Sequence, residues 1–359
     1  MEESNAVWKE NDEMEVNGAK AVEAEPLGVP SAKNALSKLG IMFLIGTIII
    51  YIVQYGVSWI VSEWKPEWLQ NMTSSLIVSM VPMYLIGMPA LIALVKRLPA
   101  TQPKQHAMKK WQFALALVMC FAVMYISNYL GVLITFLIGL LKGSAVSNDI
   151  ATIATTANMG VTFVIMVICA PLFEEYIFRK LIVDRTVRYG QGVAVVISGL
   201  MFGLFHGNLN QFVYATAMGM FLAFLYVKTG KLKITIAIHM IVNFMGSVVS
   251  VLILKAIKYE ELLALEANAA SQEAYVQDMM NLVMANLPGW IVYMCYACLI
   301  FGCMIGGIVL FIVFRKRFVL EKGEAGIPKG QRFRTLILNP GMLVYCLFWI
   351  AIIIWQLFK

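Results

Sequence analysis

The sequence predicts an all-α fold, a polytopic transmembrane helical bundle of about nine spans. Three observations carry that prediction. Hydrophobic residues make up 60% of the chain and charged residues 14%, with a mean hydropathy of +0.77, far from the balance of a soluble domain. Nine apolar stretches reach or approach the roughly 20 helical residues that a hydrocarbon core requires. Lysine and arginine concentrate in alternate loops: 96–110, 179–190, 228–233 and 315–338 carry 5, 4, 3 and 7, while the loops between them and the C-terminus together carry 5. Because cytoplasmic loops retain positive charge, the alternation predicts nine crossings, with the N-terminus inside and the C-terminus outside.

In chain order, residues 1–35 hold eight acids against three lysines and no apolar run. They read as an acidic, disordered cytoplasmic tail rather than a signal or transit peptide. Residues 36–158 supply spans at 39–61, 73–95 and 112–141. Pro82 and Pro89 are no objection, because neighbouring helices satisfy freed carbonyls, and the long third span tilts or projects from the membrane. Residues 159–256 supply four spans, at 159–183, 191–207, 211–228 and 234–256. Segment 257–288, with Glu260, Glu261, Glu266, Glu273 and Asp278, reads as an extracytoplasmic cap of one or two amphipathic helices, and 289–359 adds spans at 289–314 and 341–358. All six cysteines fall in apolar spans, where they pack as small hydrophobes. The pair Cys295 and Cys298 has no second pair or nearby histidine to make it a metal or redox site. The net charge of +7 arises in the basic loops. It implies contact with anionic lipid on the cytoplasmic face, and no interleaved aromatic pattern points to nucleic acid.

One run resists the membrane reading: CAPLFEEYIFRK, residues 169–180. Of 21 Asp and Glu residues, only Glu174 and Glu175 lie well inside a span. A carboxylate there costs about 2.5–3.5 kcal/mol on insertion scales, which argues for function over a mere staple between helices. Glu175 and Arg179 are four residues apart, within reach of an ion pair. Glu174 points about 100° away, has no built-in counter-ion and is free to act as a base. Of three histidines, His106 belongs to a basic loop, whereas His206 and His239 lie within spans. With the turn at Gly190, Glu174 and His206 are each 16 residues from it and therefore level. His239 and Asn243 share a face of the seventh span. The four groups are expected in one pocket open to the cytoplasm. A carboxylate and an imidazole hold and deprotonate water there, while a second imidazole and a carboxamide donate to an oxyanion. That set performs amide hydrolysis. A serine nucleophile elbow, an H-E-x-x-H and a G-x-G-D aspartate motif are all missing from the sequence.

The motifs E-E-x-x-x-R (Glu174, Glu175, Arg179), F-x-x-x-H (Phe202, His206) and H-x-x-x-N (His239, Asn243), in this order on successive spans, resemble the CPBP family of intramembrane proteases. That family includes the type II CAAX prenyl endopeptidases and the bacterial Abi, or bacteriocin self-immunity, proteins. The resemblance covers about residues 159–250. It implies a shallow, wide bundle with a cytoplasm-facing cavity and an endopeptidase acting on membrane-anchored peptides or proteins. It further implies that Glu174 and His206 activate water, that His239 and Asn243 form the oxyanion site, and that Glu175 and Arg179 support the first glutamate. Phe202 packs one turn from His206. The immunity-type members point to a bacterial plasma membrane.

No cofactor is required in the favoured reading, although zinc on Glu174, His206 and His239 is the alternative. Two other functions compete. A non-catalytic immunity or scaffold factor is expected to lose one of the four groups, and all four are present. A transporter is expected to show inverted repeats and discontinuous helices, neither evident in the sequence.

Overall fold

The computed structural model describes residues 29–144, 146, 155–268 and 271–358. Residues 1–28 of the acidic tail lie outside the described residues. The tail read over 1–35 ends sooner than expected, because residues 29–35 already belong to the first helix.

Nine apolar helices are present among the described residues: α1 (Val29–Trp64), α2 (Met72–Val95), α3 (Lys110–Lys142), α4 (Met159–Tyr189), α5 (Gln191–Phe205), α6 (Leu209–Thr229), α7 (Leu232–Ala256), α10 (Leu287–Val313) and α11 (Pro340–Leu357). Two polar helices, α8 (Tyr259–Asn268) and α9 (Gln272–Ala285), occupy the segment between α7 and α10. The fold is an all-α polytopic bundle, and the chain is an integral, multi-pass membrane protein. Phe301, Ile308 and Ile312 of α10 are exposed, a surface that suits lipid and not water.

Eight of the nine helices are long enough to cross a membrane, and α5 is the exception. Its 15 residues span only about 22 Å of a core of about 30 Å, so the nine crossings expected are eight by length. The chain turns at His206–Asn208, where Gly207 has φ +65° and a Cβ would meet Trp349 and Ile352 in the middle of α11. The turn is therefore at mid-helix depth. Asn208 restarts the chain as the cap of α6, its side chain accepting from Gln211 N at 2.8 Å. The parity of the remaining spans is kept, since α5 and α6 leave from and return to the same end.

That end gathers the four basic loops. Thr101 N donates to Asp184 O, His106 N to Thr229 O and Gln191 N to Glu321 O, and Lys228 pairs with Glu321 at 3.0 Å. The opposite end is tied by Asn158 N to Thr73 Oγ1, Lys142 Nζ to Leu357 O, and Asn286 Nδ2 to Ala256 O.

The α5–α6 hairpin sits at the centre. α6 lies on α3, which carries α10 outside it; α5 lies on α4 and α11, and α11 packs on α1, which packs on α2. Close approach of α5 and α6 depends on Gly199 and Gly203. A Cβ at either position would strike α6, at Met220 N (2.7 Å) from Gly199 and at Phe212 O (2.9 Å) from Gly203, the small-residue contact that brings membrane helices together. Phe178, Ile197, Met201, Phe202 and Leu222 are fully buried in this seam.

Candidate active site

Glu174 and Glu175 sit in α4 where it departs from regular geometry. Residues Phe163–Cys169 and Tyr176–Val183 follow the wider i→i+5 winding, which recurs at functional sites. The first departure has a cause in the sequence. Ala170 N donates to Ile165 O, five residues back. The next bond of that series would run from residue 171 to Met166 O, but Pro171 has no N–H. Asn243 of α7 supplies the missing donor, with Nδ2 2.8 Å from Met166 O.

The ion pair anticipated from spacing forms, and it is bidentate. Arg179 Nε lies 3.0 Å from Glu175 Oε2 and Nη2 3.0 Å from Oε1, with both side chains fully buried. The third side of the guanidinium is met by Ser198, whose Oγ accepts from Nη1 at 2.9 Å and donates to Phe178 O at 2.7 Å. The arginine face stacks on Phe202, 4.8 Å from the ring centroid. Phe202 also meets His206 and His239 edge to face, at 4.8 and 5.8 Å.

His239 lies between the two glutamates. Its Nδ1 is 2.9 Å from Glu175 Oε1 and its Nε2 is 3.6 Å from Glu174 Oε2. A carboxylate already paired with Arg179 only accepts, so Nδ1 carries a proton. The facing pair of Nε2 and Oε2 is attractive only when one proton resides on one of the two atoms. His206 is fixed differently. Its Nδ1 lies 2.8 Å from Phe202 O, a carbonyl that only accepts, so a neutral His206 presents a bare Nε2 lone pair.

The two glutamates are thus unequal. Glu175 spends both oxygens on Arg179 and His239 and is 0% exposed, whereas Glu174 is 17% exposed and faces His239 across a gap too long for a direct hydrogen bond. The structure brings Glu174, Glu175, Arg179, Phe202 and His239 together. It sets His206 against Phe202 and turns one N–H of Asn243 toward the backbone of α4. Ser198 was not singled out from the sequence, although it lies four residues before Phe202 and eight before His206, on the same helix face.

For zinc on Glu174, His206 and His239, the orientation of His239 is compatible, since Nδ1 meets Glu175 and Nε2 faces Glu174, as in a ligating imidazole. Against it, among the described residues no group of three His, Cys, Asp or Glu side chains is arranged so that it could hold a metal ion.

Asn243→Ala is expected to cost about 1 kcal/mol of stability, the low end of the penalty for a carbonyl left without its donor, since the contact is half-buried. Adding Pro171→Ala, which restores a backbone N–H opposite Met166 O, is expected to recover part of that loss. Thermal unfolding of the two variants checks this, and an unaltered melting temperature in Asn243→Ala would remove the backbone role.

The fold and this buried carboxylate–imidazole–guanidinium cluster define a polytopic α-helical membrane protein with an intramembrane polar site. Residues 156–245, about a quarter of the chain, match the family described as type II CAAX prenyl endopeptidase Rce1-like. This bears out the resemblance carried by the three motifs. The chain is 26% identical over 212 residues to the membrane-embedded CAAX protease MroQ of Staphylococcus aureus, covering 55% of this chain and 84% of MroQ. It is 36% identical over 80 residues to YdiL of Bacillus subtilis, by its name a candidate membrane peptidase, covering 21% of this chain and 32% of YdiL. The chain thus matches about a third of the length of that relative. No solved structure matches it significantly.

Proposed function

We propose that the protein is an intramembrane endopeptidase that hydrolyses a peptide bond in membrane-associated peptides or proteins. One observation carries the mechanism: Glu175 is saturated by Arg179 and His239, while Glu174 beside it keeps accessible, unclaimed oxygens. Glu174 is the base. It takes a proton from a water held against the Nε2 lone pair of His206, and the water oxygen bonds to the scissile carbonyl carbon. The proton then passes to the amine nitrogen as the carbon–nitrogen bond breaks. Protonated His239, stabilised by Glu175, and the second N–H of Asn243 donate to the oxyanion. Arg179, Ser198 and Phe202 hold Glu175 and His239 in register.

The matching family and MroQ support this reading. In its favour too is a donor set that works without a metal. The substrate approaches from the end carrying the basic loops, which their charge assigns to the cytoplasm; reporter fusions at loop 96–110 and segment 257–288 distinguish the sides.

The test is cleavage of membrane-anchored and prenylated peptides by the purified protein, read by mass spectrometry. Cleavage is expected to persist after exhaustive chelation. Activity lost on chelation and restored by zinc would overturn the metal-free scheme, and no cleavage across the panel in lipid or detergent would count against a peptidase.

A further inference from the structure

A cavity of about 660 Å³ opens at the basic-loop end of the bundle, away from the site: none of Glu174, His206, His239 and Asn243 lines it. Its size lies within the range of small-molecule sites, about 300–1,000 Å³. Lys104, Arg188, Lys228, Lys316, Arg317 and Lys322 line it, against Glu321 and Glu324, together with His106. Glu321 is already paired with Lys228.

Three features separate this cavity from the diffuse positive charge of a membrane-facing loop. Its walls are stitched in place: His106 N to Thr229 O, Gln191 N to Glu321 O, and Ala325 N to Arg188 O join four loops. The basic groups are therefore pre-positioned before any ligand arrives. Arg188 Nε is buried without a hydrogen-bond partner, an N–H that ordinarily finds an acceptor. Part of the lining is apolar, with Phe224, Leu225 and Val319, and the cavity is bounded by the ends of α3, α4 and α6 and by the segment that follows α10.

We propose that this cavity is a discrete binding site for a phosphate-bearing anion at the membrane surface. Arg188 and Lys316 grip the phosphate, and Phe224 and Leu225 receive apolar matter attached to it. Guanidinium and ammonium groups bind phosphate oxygens through charge-assisted hydrogen bonds, and the apolar wall favours a phospholipid headgroup over free phosphate.

The full chain in delipidated detergent is titrated with phosphatidylglycerol, with phosphatidylcholine as control. Bound lipid is counted by native mass spectrometry and stabilisation is read by thermal unfolding. The expected result is one phosphatidylglycerol per chain, weakened at least about tenfold by Arg188→Gln and again by Lys316→Gln, the loss typical of a charge-assisted hydrogen bond. Lys329→Gln removes a charge from the same loop outside the cavity and is expected to have little effect. Displacement by millimolar inorganic phosphate would assign the site to soluble phosphate, and resistance to it would assign the site to lipid. Equal weakening by Lys329→Gln and Arg188→Gln, or equal stabilisation by phosphatidylcholine, would overturn the proposal. Arg188 Nε holds no structural hydrogen bond and Lys104→Gln serves as an independent variant, so misfolding does not mask the result.

Discussion

Glu174→Gln is expected to lower kcat by at least about 10³-fold, within the range for loss of a positioned general base, while leaving thermal unfolding unchanged. The carboxamide keeps the shape of the side chain but cannot take up the proton of the attacking water. Stability is preserved because Glu174 meets His239 only across 3.6 Å and anchors no helix. Measured kcat within about tenfold of the wild type, in protein of native melting temperature, would remove Glu174 from the chemistry.

Glu175→Gln is expected to act on the other axis. It leaves the fully buried Arg179 with Ser198 and the face of Phe202 but without a counter-charge. Breaking a buried pair by removing one partner costs about 3–5 kcal/mol, so the melting temperature falls markedly and activity falls with it. A control separates this from catalysis. Replacing both partners, Glu175→Leu with Arg179→Leu, removes the stranded charge and is expected to recover much of the stability with no recovery of activity, since His239 loses its acceptor. If Glu175→Gln and Glu174→Gln gave the same melting temperature and the same residual activity, the division of labour between the two carboxylates would fail.

How much of this was legible in the sequence depended on distance along the chain. The Glu175–Arg179 pair was readable because a helix places residues four apart on one face. So was the existence of eight of the spans, which follows from apolar runs, although α1 and α4 run past the stretches read at 39–61 and 159–183. The partner of His239 was not. Counting residues from the turns placed Glu174 level with His206, but a count of depth does not say which carboxylate oxygens an imidazole on α7 will meet. α4 widens twice between Phe163 and Val183, and α5 stops at Phe205. The imidazole found beside the two carboxylates is that of His239. The stretch 191–207 reads as a crossing, although His206, Gly207 and Asn208 are polar and turn-forming, and the helix ends at Phe205.

The hydrogen bond from Asn243 to Met166 O reaches beyond the geometry of one chain. An amide side chain on α7 stands in for the backbone N–H that proline withholds on α4, so the two residues form one inherited unit. A lineage that exchanges Pro171 for a residue with an N–H releases Asn243 from its backbone duty, and a lineage that loses Asn243 gains by abandoning the proline. Substitutions at these two positions should therefore travel together among descendants of this sequence. Wherever asparagine persists after the proline has gone, the proposed mechanism assigns its retention to the oxyanion it would donate to.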